Sequence, residues 1–166
     1  MASKNKTKIT AEKGKQDFIV EREFEAPREL VFKAFKEPEL LVQWLGPNRL
    51  TMKIEKFDNR SGGAYRFLHI DDKGREYGFN GVFHEISEPE RIIRTFEFEG
   101  LPERGHVSLE TATFKDLPNG RSLLTMHCVF KSVADRDGMI SSGMEGGMNE
   151  GLEKLDTLLE NLLVKN

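Results

Sequence analysis

The feature that most constrains this chain lies at its C-terminal end. Met144, Met148, Leu152, Leu155, Leu159 and Leu162 follow one another at steps of four, four, three, four and three. That spacing predicts a single amphipathic helix of about 22 residues, roughly 33 Å long, with one apolar stripe. Ser142 and Glu145 precede the stripe in the arrangement of a capping box, a hydroxyl N-cap followed three residues later by a carboxylate. A helix with one greasy side needs a surface to cover. The rest of the sequence supplies one.

That surface is a run of strands. Asp17–Glu25 alternates, with Phe18, Val20 and Phe24 on one face and Ile19, Glu21, Glu23 and Glu25 on the other. Pro27 and Pro38 suit the first turns of two short helices, the second carrying Leu41, Trp44 and Leu45 and stopped by Gly46-Pro47. Six further strands are predicted over Arg49–Phe57, Gly62–Ile70, Arg75–Ile86, Arg91–Glu99, His106–Lys115 and Arg121–Lys131. Leu117-Pro118-Asn119-Gly120 between the last two is a strong hairpin signal. A short helical lead, Val133–Met139, precedes the long helix. Short connections make neighbouring strands antiparallel. The fold class is therefore α+β: a curved antiparallel sheet of about seven strands wrapped around the long C-terminal helix.

Composition narrows the function. The chain has 166 residues, enough for one domain, read as 17–166, behind a flexible basic tail over 1–16. That tail holds five lysines against Glu12, a net +4, so the remainder carries −7. A body of that charge is poorly suited to tracking phosphates, and the tail has no aromatic residue to stack on a base. Nucleic acid is not an expected partner. No apolar run is long enough to span a membrane, and no secretory signal is present. With Cys128 as its only cysteine, the chain is expected to be cytoplasmic and without a disulfide framework.

No catalytic or metal motif emerges. His69, His84, His106 and His127 form no His-Glu-x-x-His pair, and there is no Cys-x-x-Cys. His127 and Cys128 are adjacent on a strand and face opposite sides. Ser61-Gly62-Gly63 and Gly146-Gly147 lack the lysine and hydroxyl of a P-loop. No cofactor and no metal are expected. Arg136, between Asp135 and Asp137, reads as part of a charge network at a helix start or as an anchor for a ligand's acidic end.

The order of elements is similar to that of the helix-grip proteins of the START/SRPBCC superfamily. Within it, the chain resembles the homologues of the activator of the heat-shock protein 90 ATPase. The resemblance covers nearly all of Phe18–Leu163. It is carried by Phe24-Glu25-Ala26-Pro27 with Val31-Phe32-Lys33-Ala34-Phe35, by Trp44 before Gly46-Pro47, and by Gly62-Gly63 opening a strand. It continues through Gly81-Val82-Phe83-His84-Glu85-Ile86, Pro89-Glu90-Arg91-Ile92 and the block Asp135-Arg136-Asp137-Gly138-Met139 with Ser142-Gly143-Met144-Glu145-Gly146-Gly147. The resemblance implies a cavity between sheet and helix that holds lipids or other apolar molecules in relatives. It also implies cyclase- or hydrolase-type chemistry in some relatives, and chaperone binding and a stress role in the namesake activators.

Strand parity nominates residues for such a cavity. Tyr65, Phe67 and His69 share a face, as do Phe83 with Gly81, Phe79 and Tyr77, then Phe96 with Phe98 and Ile92, and Met126 with Leu124, Cys128 and Phe130. Met144 and Met148 would line it from the helix, where thioethers repack around varied shapes. Phe35 and Trp44 would lie at its lid or simply close the core. Gly143, Gly147 and Gly151, one turn apart, would give close packing against the sheet or room for a ligand. Three functions stay open: a binder of a small hydrophobic or amphipathic molecule, with His69 or Tyr65 orienting its polar end; an enzyme using the same cavity; and a chaperone-interaction module. The sequence carries no signal for oligomeric state.

Overall fold

The computed structural model describes residues 5–165. Eight strands form one antiparallel sheet: β1 (Lys8–Thr10), β2 (Asp17–Phe24), β3 (Thr51–Phe57), β4 (Ala64–Ile70), β5 (Glu76–Ser87), β6 (Arg91–Phe98), β7 (Val107–Leu117) and β8 (Arg121–Val129). Their spatial order is β1-β2-β8-β7-β6-β5-β4-β3. Sequential hairpins build the run from β3 to β8, and β2 closes onto β8. Between β2 and β3 lie the short helices α1 (Arg28–Lys36) and α2 (Pro38–Leu41). The chain ends with α3 (Val133–Ser141) and the long α4 (Met144–Lys165).

The predicted alternation of β2 is observed, with Phe18, Val20, Arg22 and Phe24 buried and the residues between them only half-buried. The stripe of α4 buries Leu152, Leu155 and Leu159 against Phe24, Phe32, Phe114 and Leu124. Burying side chains of this size supplies about 1.5–3 kcal/mol each, which is why the sheet curls around the helix and not around solvent. A second apolar cluster joins Phe18, Val20, Cys128 and Phe130, with Ile9, Met139 and Met144 packed on it.

Two expectations need correction. The tail was expected to be flexible, yet Lys8–Thr10 adds an eighth strand to the sheet edge, pairing Ile9 with Val20. Its residues 1–4 lie outside the described residues. The charge count hid the reason: Ile9 packs on the second cluster, and the Arg136 guanidinium donates to the carbonyls of Glu12 (2.9 Å) and Asp17 (3.0 Å). The capping box does not form either. Ser142 has helical dihedrals at the end of α3, and its hydroxyl donates back to the Met139 carbonyl at 2.6 Å. The cap that does form is one helix earlier, where Ser132 Oγ accepts from the Asp135 backbone N–H at 3.0 Å. Gly143 at φ 85° turns the chain between the two helices, a conformation that a side chain resists.

Candidate functional site

The register shows which side chains meet over the concave face. Tyr65 pairs with Gly81, Phe67 with Phe79 and His69 with Tyr77. Phe79 pairs with Phe98, and Phe83 with Arg94. Arg94 pairs with Glu110, and Glu110 with Cys128. Met126 lies one inward step along β8, opposite Ala112 and Val20. A bulge between Phe83 and Glu85 shifts the β5–β6 register by one residue. Ile86 therefore returns to the core beside Phe83, although plain alternation would send it outward.

The nominated residues divide into two groups. Trp44, Tyr65, Phe67, His69, Phe83 and Cys128 are buried. Phe35, Phe96, Phe98, Met126, Met144 and Met148 are half-buried. The buried group is closed by its own contacts. The Tyr65 and Phe83 ring centroids are 5.1 Å apart, and Phe67 stacks on Phe79 at 5.2 Å. Trp44 does not behave as a loose lid: its Nε1 donates to the Ala34 carbonyl at 3.0 Å, and its ring lies 4.7 Å from that of Phe35. In the half-buried group, Phe96 and Phe98 each contact the Phe79 ring, and Phe96, Met126 and Met148 pack on the same core cluster.

Between these groups lies a polar constellation. Arg94 Nε donates to Glu110 Oε1 at 2.9 Å, with the two side chains 18% and 14% exposed. The guanidinium carbon sits 5.1 Å from the Tyr65 ring centroid and 5.5 Å from that of Phe96, within cation–π range of both. The Cys128 thiol faces the other Glu110 oxygen at 3.9 Å. Burial, with Glu110 beside it, pushes the Cys128 thiol well up, so it stays protonated. Burial likewise pushes the Tyr65 phenol up, and its hydroxyl donates to the Thr95 carbonyl. Desolvation would discharge Arg94, but the Glu110 carboxylate bonded to it offsets this and the guanidinium stays charged. Neither Arg94 nor Glu110 is among the residues that strand parity nominates. The available signal was a charge at an inward parity position, directly in phase with Phe96 and Ile92.

His69 is placed differently. Its imidazole is 8% exposed, touches the Phe67 and Phe79 rings, and leaves Nε2 without a hydrogen-bond partner among the described residues. Burial, with Lys154 and Arg49 nearby, pulls it down to about 4, so it is neutral at pH 7. A Cβ on Gly46 would come within 2.7 Å of the ring, so a glycine is what lets the segment after Trp44 lie on His69. The other expected polar residues hold structure together. His106 Nδ1 lies 3.0 Å from the Asp135 carboxylate, and His127 Nε2 lies 2.7 Å from Asp17. Besides its two tail carbonyls, Arg136 bonds Asp137 at 3.0 Å, which accords with a charge network at a helix start.

The glycines of α4 face the loop after α2. A Cβ on Gly151 would stand 3.1 Å from the Trp44 carbonyl oxygen, and one on Gly147 would stand 3.6 Å from Pro47. They bring the helix onto this segment, where packing against the sheet or room for a ligand was expected. Two outer clefts are also present. One, of about 330 Å³, is bordered by Glu55, Arg66, Tyr77, Phe98 and Glu99. The other, of about 240 Å³, is bordered by Gln43, Lys154, Leu158 and Asn161. Neither lies between the concave face and Met148. Among the described residues, no group of three or more His, Cys, Asp or Glu side chains is placed to hold a metal. No helix among them is long and apolar enough to cross a membrane.

An eight-stranded antiparallel sheet gripping a long C-terminal helix, with two short helices inserted after β2, defines a helix-grip protein. The family model described as activator of Hsp90 ATPase homolog 1-like protein matches residues 25–160. The chain belongs to that family, within the SRPBCC superfamily. No curated protein sequence matches it at a significant level. Among solved structures, a protein from Rhodobacter sphaeroides is 25% identical with a TM-score of 0.82, covering 92% of this chain and 98% of its own. A solution NMR structure from Arthrobacter aurescens is 22% identical at a TM-score of 0.83, covering 93% of this chain and 91% of its own. The AHSA1 protein from Silicibacter pomeroyi is 23% identical at 0.69, covering 90% and 99%. At these identities the last two show the fold alone.

Proposed function

We propose that the protein binds a small hydrophobic or amphipathic molecule between the concave sheet face and the N-terminal half of α4. One observation supports this most. Phe96, Met126 and Met148 pack on the core cluster, yet they keep partial solvent access, whereas Tyr65, Phe67 and Phe83 in the same cluster are sealed. Apolar side chains that face inward without being covered mark the surface a ligand would complete. The methionines suit that role because their unbranched side chains change rotamer at little cost and widen the cleft around a guest. Apolar burial supplies the affinity, about 25 cal/mol per Å² before association costs. Cys128 is protonated and His69 is neutral and deeply placed, so neither is set up as a nucleophile or as a strong base at pH 7. Carriage is therefore favoured over turnover.

The test uses N-phenyl-1-naphthylamine, a neutral apolar fluorophore. Its emission should rise on mixing with the protein. Met148→Trp, which fills the cleft, should abolish the rise while far-UV circular dichroism is unchanged. An undiminished rise in the folded variant would place the site elsewhere.

A further inference from the structure

The inward surface proposed to hold the ligand carries hydrogen-bonding capacity that its apolar side chains do not explain. Arg94 uses only Nε toward protein, and Glu110 accepts that bond on Oε1. Glu110 Oε2 is faced by the Cys128 thiol at 3.9 Å, and the Tyr65 hydroxyl is committed to the Thr95 carbonyl. Among the described residues, the two terminal nitrogens of Arg94 meet no hydrogen-bond acceptor. They are not sealed off as His69 Nε2 and Ser122 Oγ are, so the 18% exposure of the side chain includes them. The Nη1–Nη2 edge of the guanidinium therefore carries two parallel N–H donors that no protein acceptor takes, beside the space where the proposed ligand would lie. The unspent hydrogen-bonding capacity of this constellation is donor capacity, and it selects for an acceptor.

Charge decides which acceptor. The guanidinium is already balanced by Glu110 at 2.9 Å. A ligand carboxylate on the far edge of Arg94 would put two negative charges around one positive charge beside the Tyr65 and Phe96 rings. That arrangement costs both the desolvation of the ligand anion and its repulsion from Glu110. A neutral carbonyl takes the same two N–H bonds without either cost. We infer that the ligand is an apolar molecule bearing an uncharged carbonyl oxygen, such as an ester, ketone or amide, which docks on the terminal edge of Arg94, with Glu110 acting as the gate against carboxylates. This rests on the binding role proposed above and adds the class of the ligand's polar end.

Methyl decanoate and decanoate, titrated against bound N-phenyl-1-naphthylamine at pH 7.5, test it. The ester is expected to displace the fluorophore at a concentration at least tenfold below that of the anion. Because an ester is also the greasier molecule, the variants carry the decision. Glu110→Gln removes the resident negative charge and should improve decanoate at least tenfold while moving the ester less than threefold. The double variant R94M/E110Q makes the cleft more apolar without leaving a lone carboxylate, and should weaken the ester at least fivefold. Arg94→Lys, which keeps the charge and the pair but not the planar edge, should weaken it at least threefold. An unchanged ester affinity in the double variant would overturn the inference, as would an unchanged ester-to-anion ratio in Glu110→Gln. So would decanoate binding the wild type more tightly than the ester. If the fluorophore itself fails to bind the wild type, the binding role falls, and this inference with it.

Discussion

Arg22 in β2 donates from Nη2 to Asp156 Oδ2 of α4 across 2.5 Å. This is an ion pair between the sheet and the helix it grips, with the two side chains only 2% and 16% exposed. Arg22 sits at the one inward position of β2 where the alternation of Phe18, Val20 and Phe24 is interrupted by a charge. Its guanidinium also donates to Thr7 Oγ1 at 2.9 Å and lies 5.7 Å from the Phe24 ring. One arginine thus joins the N-terminal segment, the sheet and the C-terminal helix.

Removing that carboxylate takes from the buried Arg22 guanidinium its partner on α4. Asp156→Ala is expected to cost on the order of 2–4 kcal/mol, as loss of one partner of a buried pair does. Urea unfolding followed by circular dichroism measures it. The double variant R22M/D156L, which replaces both charges by apolar groups, should recover most of the loss. If Asp156→Ala lowers stability by less than about 0.5 kcal/mol, the pair is only a surface contact.

The glycines of α4 should respond oppositely to the same change. Gly147→Ala places a methyl at ordinary contact distance, 3.6 Å, from Pro47. Relief of the helix penalty should then raise stability by about 0.5–1 kcal/mol. Gly151→Ala puts its methyl 3.1 Å from the Trp44 carbonyl oxygen and 3.3 Å from the Gly46 nitrogen, which are backbone atoms with little freedom to yield. It should gain nothing or lose stability. Thermal melts of the two variants against wild type decide the matter, and equal gains would show that α4 does not press on the 44–46 segment.

His69 should make stability depend on pH. Its folded value of about 4 lies below the ordinary value of 6.5 that the unfolded chain shows. Between those limits the unfolded state binds more protons, so stability falls as pH drops from about 6.5 towards 4 and flattens below. Partial solvent screening keeps the effect to about 1–2 kcal/mol. Urea midpoints from pH 7 to pH 4 should fall more steeply for wild type than for His69→Asn. Parallel profiles would show that the imidazole protonates without penalty in the folded protein.

The sequence by itself determined the local elements. Period-two runs such as Phe18–Phe24 and the three-four stripe from Leu152 to Leu162 write their burial directly into the spacing, because a strand or helix repeats its faces at fixed intervals. The helix-grip resemblance was legible for the same reason, since it rests on the order of those elements. Tertiary structure decided what local periodicity cannot carry. The β1 edge strand exists because Arg136, more than a hundred residues away in sequence, ties down the chain after Ile9. The Phe83–Glu85 bulge changes which side chains face inward beyond it. Ser142 matched a cap by spacing, but the turn at Gly143 made it the end of α3 instead. The Arg94–Glu110 pair needs two strands brought into register before either charge has a partner. A parity rule places each residue on a face, but only the paired sheet says which charge it meets there.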